Sequence, residues 1–349
     1  MDAFVQPQTR EASPHQDRSV RERDQSVLDY LHDIIGSDLK ETNRVILDRL
    51  DSQVPLIPEL GSHLINSGGK RLRPILTLLA TRMFGYRGEQ HYTLAAVVEF
   101  IHTATLLHDD VVDESLTRRG RQTANAVWGS KAPVLVGDFL FSRAFQMLVE
   151  HGDLRVLEII ADACAVISEG EVMQLLVSNN LETSESQYME VVSRKTATLF
   201  AAAARIGAVL NHRSVDEEER LARYGLLLGQ AYQVVDDTLD YSATRETLGK
   251  GIGDDFQEGK ITLPLIHAFH HGSEEERRFW TRCIEAKDQP EGSLERAIDL
   301  VRQRGSLDYA MARARSLAEA AVEAADCFPA SRERDALIRL ATFSVDRHH

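Results

Sequence analysis

Cysteine is scarce in this sequence. Cys164, Cys283 and Cys327 are an odd, scattered set with no Cys-x-x-Cys spacing. That excludes a disulfide framework and a zinc knuckle, and suits incidental thiols in a reducing cytosol. Positive charge is also short: 40 Lys and Arg face 54 Asp and Glu, a formal net charge of −14. A nucleic-acid partner is argued against, because its usual footprint is a basic patch. No apolar run approaches the ~20 residues that a membrane-spanning helix needs. Residues 1–25 lack the apolar core of a signal peptide and read as a polar, disordered tail. No Gly/Ser- or Pro-rich linker interrupts the rest, so 26–349 reads as one large domain. His348-His349 reads equally well as native sequence or as the stub of a purification tag.

Proline is sparse and clustered. Its nine copies leave residues 75–132 and 134–263 free of it. Proline breaks helix interiors, so these stretches permit long helices, and Thr198-Leu-Phe-Ala-Ala-Ala-Ala204 favours one. Apolar positions recur at threes and fours, as in Leu94, Val97, Val98 and Ile101, while alternating strand patterns are absent. Pro133 suits the first turn of a helix. Ser184 and Gln187 have the spacing of a capping box. Gly68-Gly69 would stop a helix begun near Pro58. The expectation is an all-α bundle of roughly ten or more helices.

What the chain does have is a repeated acidic motif. Leu107-His-Asp-Asp-Val-Val-Asp113 and Val235-Asp-Asp-Thr-Leu-Asp240 both place carboxylates at i, i+1 and i+4 in apolar helical stretches. Residues i and i+4 share a helix face, about 5–6 Å apart between Cβ atoms. Asp109 therefore projects with Asp113, and Asp236 with Asp240. Burying unpaired carboxylates is costly, so a cation must compensate them. Oxygen donors without cysteine favour a hard ion such as Mg²⁺, which completes its shell with water and phosphate oxygens.

Cationic residues surround the two motifs. Lys70, Arg71 and Arg73 lie in Gly68-Gly-Lys-Arg-Leu-Arg-Pro74, which reads as an anion-binding turn or as a solvated basic loop. Arg118 and Arg119 suit bidentate phosphate contacts, or simple charge balance against Asp109 and Asp110. Lys195-Thr196 falls in a polar gap, and Lys250 and Lys260 follow the second motif. His102 lies seven residues before Asp109, as a ligand or as a core histidine; His108 has no assigned role. The chain holds no nucleophile arrangement. Its inventory fits two diphosphates, one held through Mg²⁺ and one directly by Arg and Lys.

These residues together resemble the trans-isoprenyl diphosphate synthases. The likeness runs from about residue 27 to the end. It is carried by GGKRLRP (68–74), EFIHTATLLHDDVVDES (99–115), RRG (118–120), VLVGDFLFSRAFQML (134–148), EGEVMQL (169–175), Lys195-Thr196, GQAYQVVDDTLDY (229–241), LGKGIGDDFQEGKITLPL (248–265) and RGSLDYA (304–310). Within that family the bacterial octaprenyl branch, which makes the ubiquinone side chain, is the nearest in pattern. The resemblance implies the isoprenoid-synthase helical bundle around a central cavity. It implies three Mg²⁺ ions and an allylic diphosphate on Asp109, Asp110, Asp113, Asp236, Asp237 and Asp240. Arg118, Lys195 and Lys260 would contact that diphosphate. Lys70, Arg73, His102 and Arg119 would hold isopentenyl diphosphate. Thr196, Gln233 and Lys250 would stand near the developing allylic cation.

The resemblance also implies a cytoplasmic homodimer, with the helix carrying Ala95-Ala-Val-Val98 packed on a second copy. A transient membrane contact would serve product release. The tail of the product would pass Thr105, Ala104, Ile101 and Val97, and the small residues at 104 and 105 imply a long product that Ala104→Phe should shorten. Competing expectations are a synthase of another product length (nona-, decaprenyl or geranylgeranyl), a terpene cyclase, a non-catalytic synthase subunit, and a calcium-binding structural protein. The isopentenyl clamp weighs against the cyclase, the two intact acidic motifs against the non-catalytic subunit, and Arg118-Arg119 with the lysines against the calcium-binding protein.

Overall fold

In a computed structural model of the chain, the proline-free stretches become long helices. Residues 14–65, 69–118, 121–242 and 253–346 are described. The order is α1 (Pro14–Arg49), α2 (Leu56–Ile65), α3 (Leu72–Arg82), α4 (Gln90–Val112), α5 (Ala124–Trp128), α6 (Lys131–His151), α7 (Leu154–Val177) and α8 (Glu185–Val192). A π-helical turn, Ser193–Ala197, joins α8 to α9 (Thr198–Leu210), and α10 (Val215–Ser242) follows. The C-terminal part holds α11 (Asp254–Gln257), α12 (Leu263–His270), α13 (Glu274–Trp280), α14 (Ser293–Gln303), α15 (Ser306–Asp326) and α16 (Arg332–Asp346). The fold is all-α, as the sequence implied. Strand structure among the described residues is one pair of two-residue strands, β1 (Thr117–Arg118) and β2 (Arg121–Gln122), closing the turn after α4.

Local signals set the helix ends. Ser184 and Gln187 do form a reciprocal capping box, as do Ser273 and Glu276. Asp153 caps α7 by accepting from the Arg155 and Val156 amides. Pro133 sits in the first turn of α6. Helix α2 ends at Ile65, before Gly68, which lies outside the described residues.

The core forms by apolar stripes meeting. Helix α4 packs on α6, α9 on α3 and α10, and α10 on α15. Leu76, Leu78 and Leu79 of α3 are fully buried; truncating any such leucine costs about 2–5 kcal/mol. Three glycines let backbones approach. A Cβ at Gly207 would lie 2.5 Å from the Ala80 carbonyl carbon, at Gly225 2.4 Å from the Phe200 carbonyl oxygen, and at Gly229 2.6 Å from Ala197 Cα. Helix α9 is thereby held close between α3 and α10.

Three expectations need correction. Residues 1–13 and His348-His349 lie outside the described residues, but helix α1 begins at Pro14, inside the stretch read as tail. Low apolar content there does not prevent helix, because Arg, Glu and Gln are good helix formers. Second, α6 is long and apolar enough to cross a membrane, with 21 residues and a mean hydropathy of 1.3 over its most apolar window. A search for uninterrupted apolar runs misses it, because Asp138 and Arg143 interrupt the pattern; its inner face packs along α4. Third, Ala95, Ala96, Val97 and Val98 are wholly buried inside the single chain, so they are not a free face for a second copy.

Candidate active site

The two acidic motifs end up on the walls of one cavity. Asp109, Asp110 and Asp113 come from the last turns of α4, and Asp236, Asp237 and Asp240 from the last turns of α10; all six line a cavity of about 580 Å³. The i, i+1, i+4 spacing divides each motif. Asp109 and Asp113 are partly exposed to the cavity, whereas Asp110 is 1 % exposed. Asp237 is likewise buried, at 7 %.

The buried member of each motif is held by the protein. Arg118 Nε donates to Asp110 Oδ1 at 2.7 Å. Burial pushes the Asp110 carboxyl up, and the Arg118 charge opposes this. Asp237 accepts from Tyr188 Oη at 2.6 Å and from Gln233 Nε2 at 2.7 Å. Burial nonetheless pushes its carboxyl up to about 7, with Asp255 and Asp236 adding to the push.

Cations meet the outer members of the first motif. Lys260 Nζ donates to Asp113 Oδ2 at 2.8 Å and pairs with Glu258 Oε2 at 2.5 Å. Burial opposes its charge, but Asp255, Asp113 and Glu258 outweigh that and hold the ammonium above its usual range. Lys195 Nζ lies 2.7 Å from Glu171 Oε2 and 3.8 Å from Asp109 Oδ2. Burial, then Asp109, pushes the Glu171 carboxyl up to about 7 against Lys195. The polar gap around Lys195-Thr196 is the π turn, an irregularity that recurs at functional sites. It puts Thr196 Oγ1 3.0 Å from Gln233 Oε1, to which it donates.

A basic set from the start of α3 lines the same cavity. Lys70, Arg71 and Arg73 all line it. Arg71, in a left-handed conformation (φ 50°), is tied to Glu99 at 2.9 Å. Arg73 lies over the Phe200 ring, 4.3 Å from its centroid, and its Nη1 is 2.9 Å from His102 Nε2. Arginine only donates, so His102 accepts there and carries no proton on Nε2. The Lys70 ammonium stands 5.3 Å from the Phe343 ring centroid on α16.

Among the described residues no three His, Cys, Asp or Glu side chains form a ready-made metal cage. Mg²⁺ does not need one, because it uses one or two carboxylates and takes the rest from water and phosphate. Six aspartate carboxyls, with Glu171, Asp255 and Glu258, line this one cavity and offer oxygen donors alone. The donor set therefore fits a hard divalent ion.

Residues 54–301 match the polyprenyl synthetase family model. The chain belongs to the polyprenyl synthetase family. Such synthases are metal-dependent prenyltransferases acting on isopentenyl and allylic diphosphates. This synthase is 46% identical, over 95% of its length and all of the relative's, to octaprenyl diphosphate synthase of Haemophilus influenzae. It is 48% identical to a polyprenyl synthase from Caulobacter crescentus CB15 complexed with calcium and isoprenyl diphosphate, with a TM-score of 0.90 over 92% of this chain and 98% of that one. A decaprenyl diphosphate synthase from Rhodobacter capsulatus is 47% identical, with a TM-score of 0.88 over 92% of this chain and 99% of the other.

Most expected site residues of the synthase meet in the cavity: the six aspartates, Lys70, Arg73, His102, Thr105, Arg118, Lys195, Thr196, Gln233 and Lys260 all line it. Arg119 and Lys250 lie outside the described residues. Ala104, Ile101 and Val97 do not line the cavity; they are fully buried in the core. Sequence reading passed over Glu171, Tyr188, Asp255 and Glu258, which also line it. Glu171 stood in EGEVMQL, and Asp255 and Glu258 in GIGDDFQEGK, so the signal was acidic density beside motifs already noted.

Proposed function

We propose that this prenyltransferase is a long-chain all-trans polyprenyl diphosphate synthase. It adds isopentenyl units to an allylic diphosphate, farnesyl diphosphate by preference, and gives octaprenyl diphosphate for a quinone side chain. The observation that carries this reading is one cavity lined both by two aspartate motifs and by a separate basic clamp. A terpene cyclase would need the first and not the second.

Asp109, Asp113, Asp236 and Asp240, with Asp110 and Asp237 behind them, would hold three Mg²⁺ ions. Mg²⁺ bound there supplies Lewis-acid charge to the departing diphosphate. Arg118, Lys195 and Lys260 give fixed positive charge to the same allylic diphosphate. Thr196 and Gln233 set hydroxyl and carbonyl dipoles beside the allylic cation where its charge develops. Lys70, Arg73 and His102 hold isopentenyl diphosphate so that its double bond attacks in line. Arg119 and Lys250 join these sets on family resemblance alone. The proton lost afterwards goes to the released diphosphate. The enzyme acts in the cytoplasm and touches a membrane only to shed product.

The test is turnover of labelled isopentenyl diphosphate with farnesyl diphosphate, with and without Mg²⁺, and chromatography of the dephosphorylated product. An eight-unit product is expected, and Asp109→Asn or Asp236→Asn should lower the rate by roughly 10²-fold or more. Full rates in EDTA would end the metal assignment, and a nine- or ten-unit product would end the octaprenyl one.

A further inference from the structure

His108 precedes Asp109 on α4 but does not line the cavity; it turns onto α6. Its Nε2 lies 3.2 Å from the Val134 carbonyl oxygen, and its ring stacks over Phe141 with centroids 6.2 Å apart. A carbonyl only accepts, so Nε2 carries the proton and donates. Asp138 Oδ1 stands 3.6 Å from the same nitrogen. Val134, Gly137 and Phe141 follow one another at three and four residues, on one face of α6. Gly137 is the floor of this seat: a Cβ there would lie 2.3 Å from His108 Nε2 and 2.7 Å from Cδ2. Glycine inside a helix is unfavourable beside alanine. The missing side chain is the space that the imidazole fills.

The last turn of α4 ends at Val112, with Asp113 as its cap residue. Terminal turns fray, and a rotation of this one would swing Asp109 and Asp113 together, away from Lys195 and Lys260. We propose that His108, seated in the Gly137 notch, is a positioning residue that fixes the rotation of this turn and so the direction of both carboxylates. The inference rests on reading Asp109 as a metal-binding residue.

The experiment uses the full chain with Gly137→Ala, His108→Ala and the two combined. The first change expels the ring and the second removes it, so both break one contact. Each is expected to raise by roughly tenfold both the Mg²⁺ concentration for half-maximal rate and the Mg²⁺ dissociation constant read by titration calorimetry without turnover, while the KM for isopentenyl diphosphate stays within about twofold. The double variant should be no worse than the worse single. His108→Gln, which keeps a donor, should recover most of the loss. Unchanged Mg²⁺ half-saturation in both singles overturns the proposal, whatever their melting temperatures, and so do fold-changes that multiply in the double variant. Asp109→Asn is measured beside them. If it leaves Mg²⁺ dependence untouched, the metal reading of Asp109 has failed; if it shifts that dependence and the His108 and Gly137 variants do not, only the notch has failed.

Discussion

Asp237 and Glu171 are buried carboxyls raised to about 7, well above the ~4 of the unfolded chain. Between about pH 4 and 7 the metal-free fold therefore binds protons that the unfolded chain does not. The stability these groups give is present at the acid end of that window and is lost as pH rises through about 7. Thermal melts without metal should show this decline, less steeply in Asp237→Asn. Mg²⁺ binding should drive the protons off, so its stabilising effect should be larger at about pH 8 than at about pH 6. Equal Mg²⁺-induced shifts in melting temperature at both would refute the argument. Thr105 offers a second test. Its hydroxyl donates to the His102 carbonyl at 2.8 Å, and it lines the cavity. Thr105→Phe should cut the product to roughly farnesyl or geranylgeranyl length with the first condensation intact, read by reverse-phase chromatography. Ala104→Phe is no longer the informative change: it forces a ring into filled core, a strain of about 1–3 kcal/mol or more.

At the level of elements, helix against helix is set by missing side chains as much as by apolar ones. Gly225→Ala would press a Cβ to 2.4 Å from a backbone oxygen of α9, which cannot rotate away as a side chain could. It should destabilise by about 1–3 kcal/mol, a melting shift of several degrees measured by circular dichroism; an unchanged melting temperature would mean that α9 and α10 are free to separate. Sequence made much of this architecture legible. Periodicity and proline spacing marked the long helices, the Ser184 box was read in place, and the i, i+4 aspartates faced one cavity as expected. Other features were illegible for physical reasons. Apolar periodicity marks a buried face but not its neighbour, so Val97 and Ile101 were read as a tunnel wall, and the Ala95–Val98 segment as a dimer face, where the structure has core. A π turn leaves no periodic mark, and the Lys195–Glu171 pair joins residues 24 apart in sequence.

On the scale of the whole molecule, apolar side chains remain on the outside of two neighbouring helices. Leu135 and Val149 on α6, and Val172, Leu175 and Leu176 on α7, are each at least 58 % exposed. Leu175 and Leu176 are adjacent, and exposed apolar surface of this kind is where a partner would bind. We propose this face, instead of the segment around Ala95, for the homodimer that family resemblance implies. Light scattering at micromolar concentration should give twice the chain mass, and Leu175→Asp with Leu176→Asp should give the monomer with its helical content intact. A monomeric parent chain would sink the idea.

The five residues Ser193–Ala197 carry a further consequence. A π turn holds one residue more than the α turn it replaces. Deleting a single residue here would heal the helix into a regular rod running from α8 to α9. Because the turn already spends the extra residue, α8 and α9 would keep their rotation relative to one another; the side chains at the bulge itself, Lys195 and Thr196 among them, would be re-aimed, and the Lys195 ammonium would lose its place beside Asp109 and Glu171. Such a deletion would leave a chain with straighter geometry and no working centre. The irregularity thus acts as a local pleat, which re-aims the few side chains folded into it and leaves every one downstream in place.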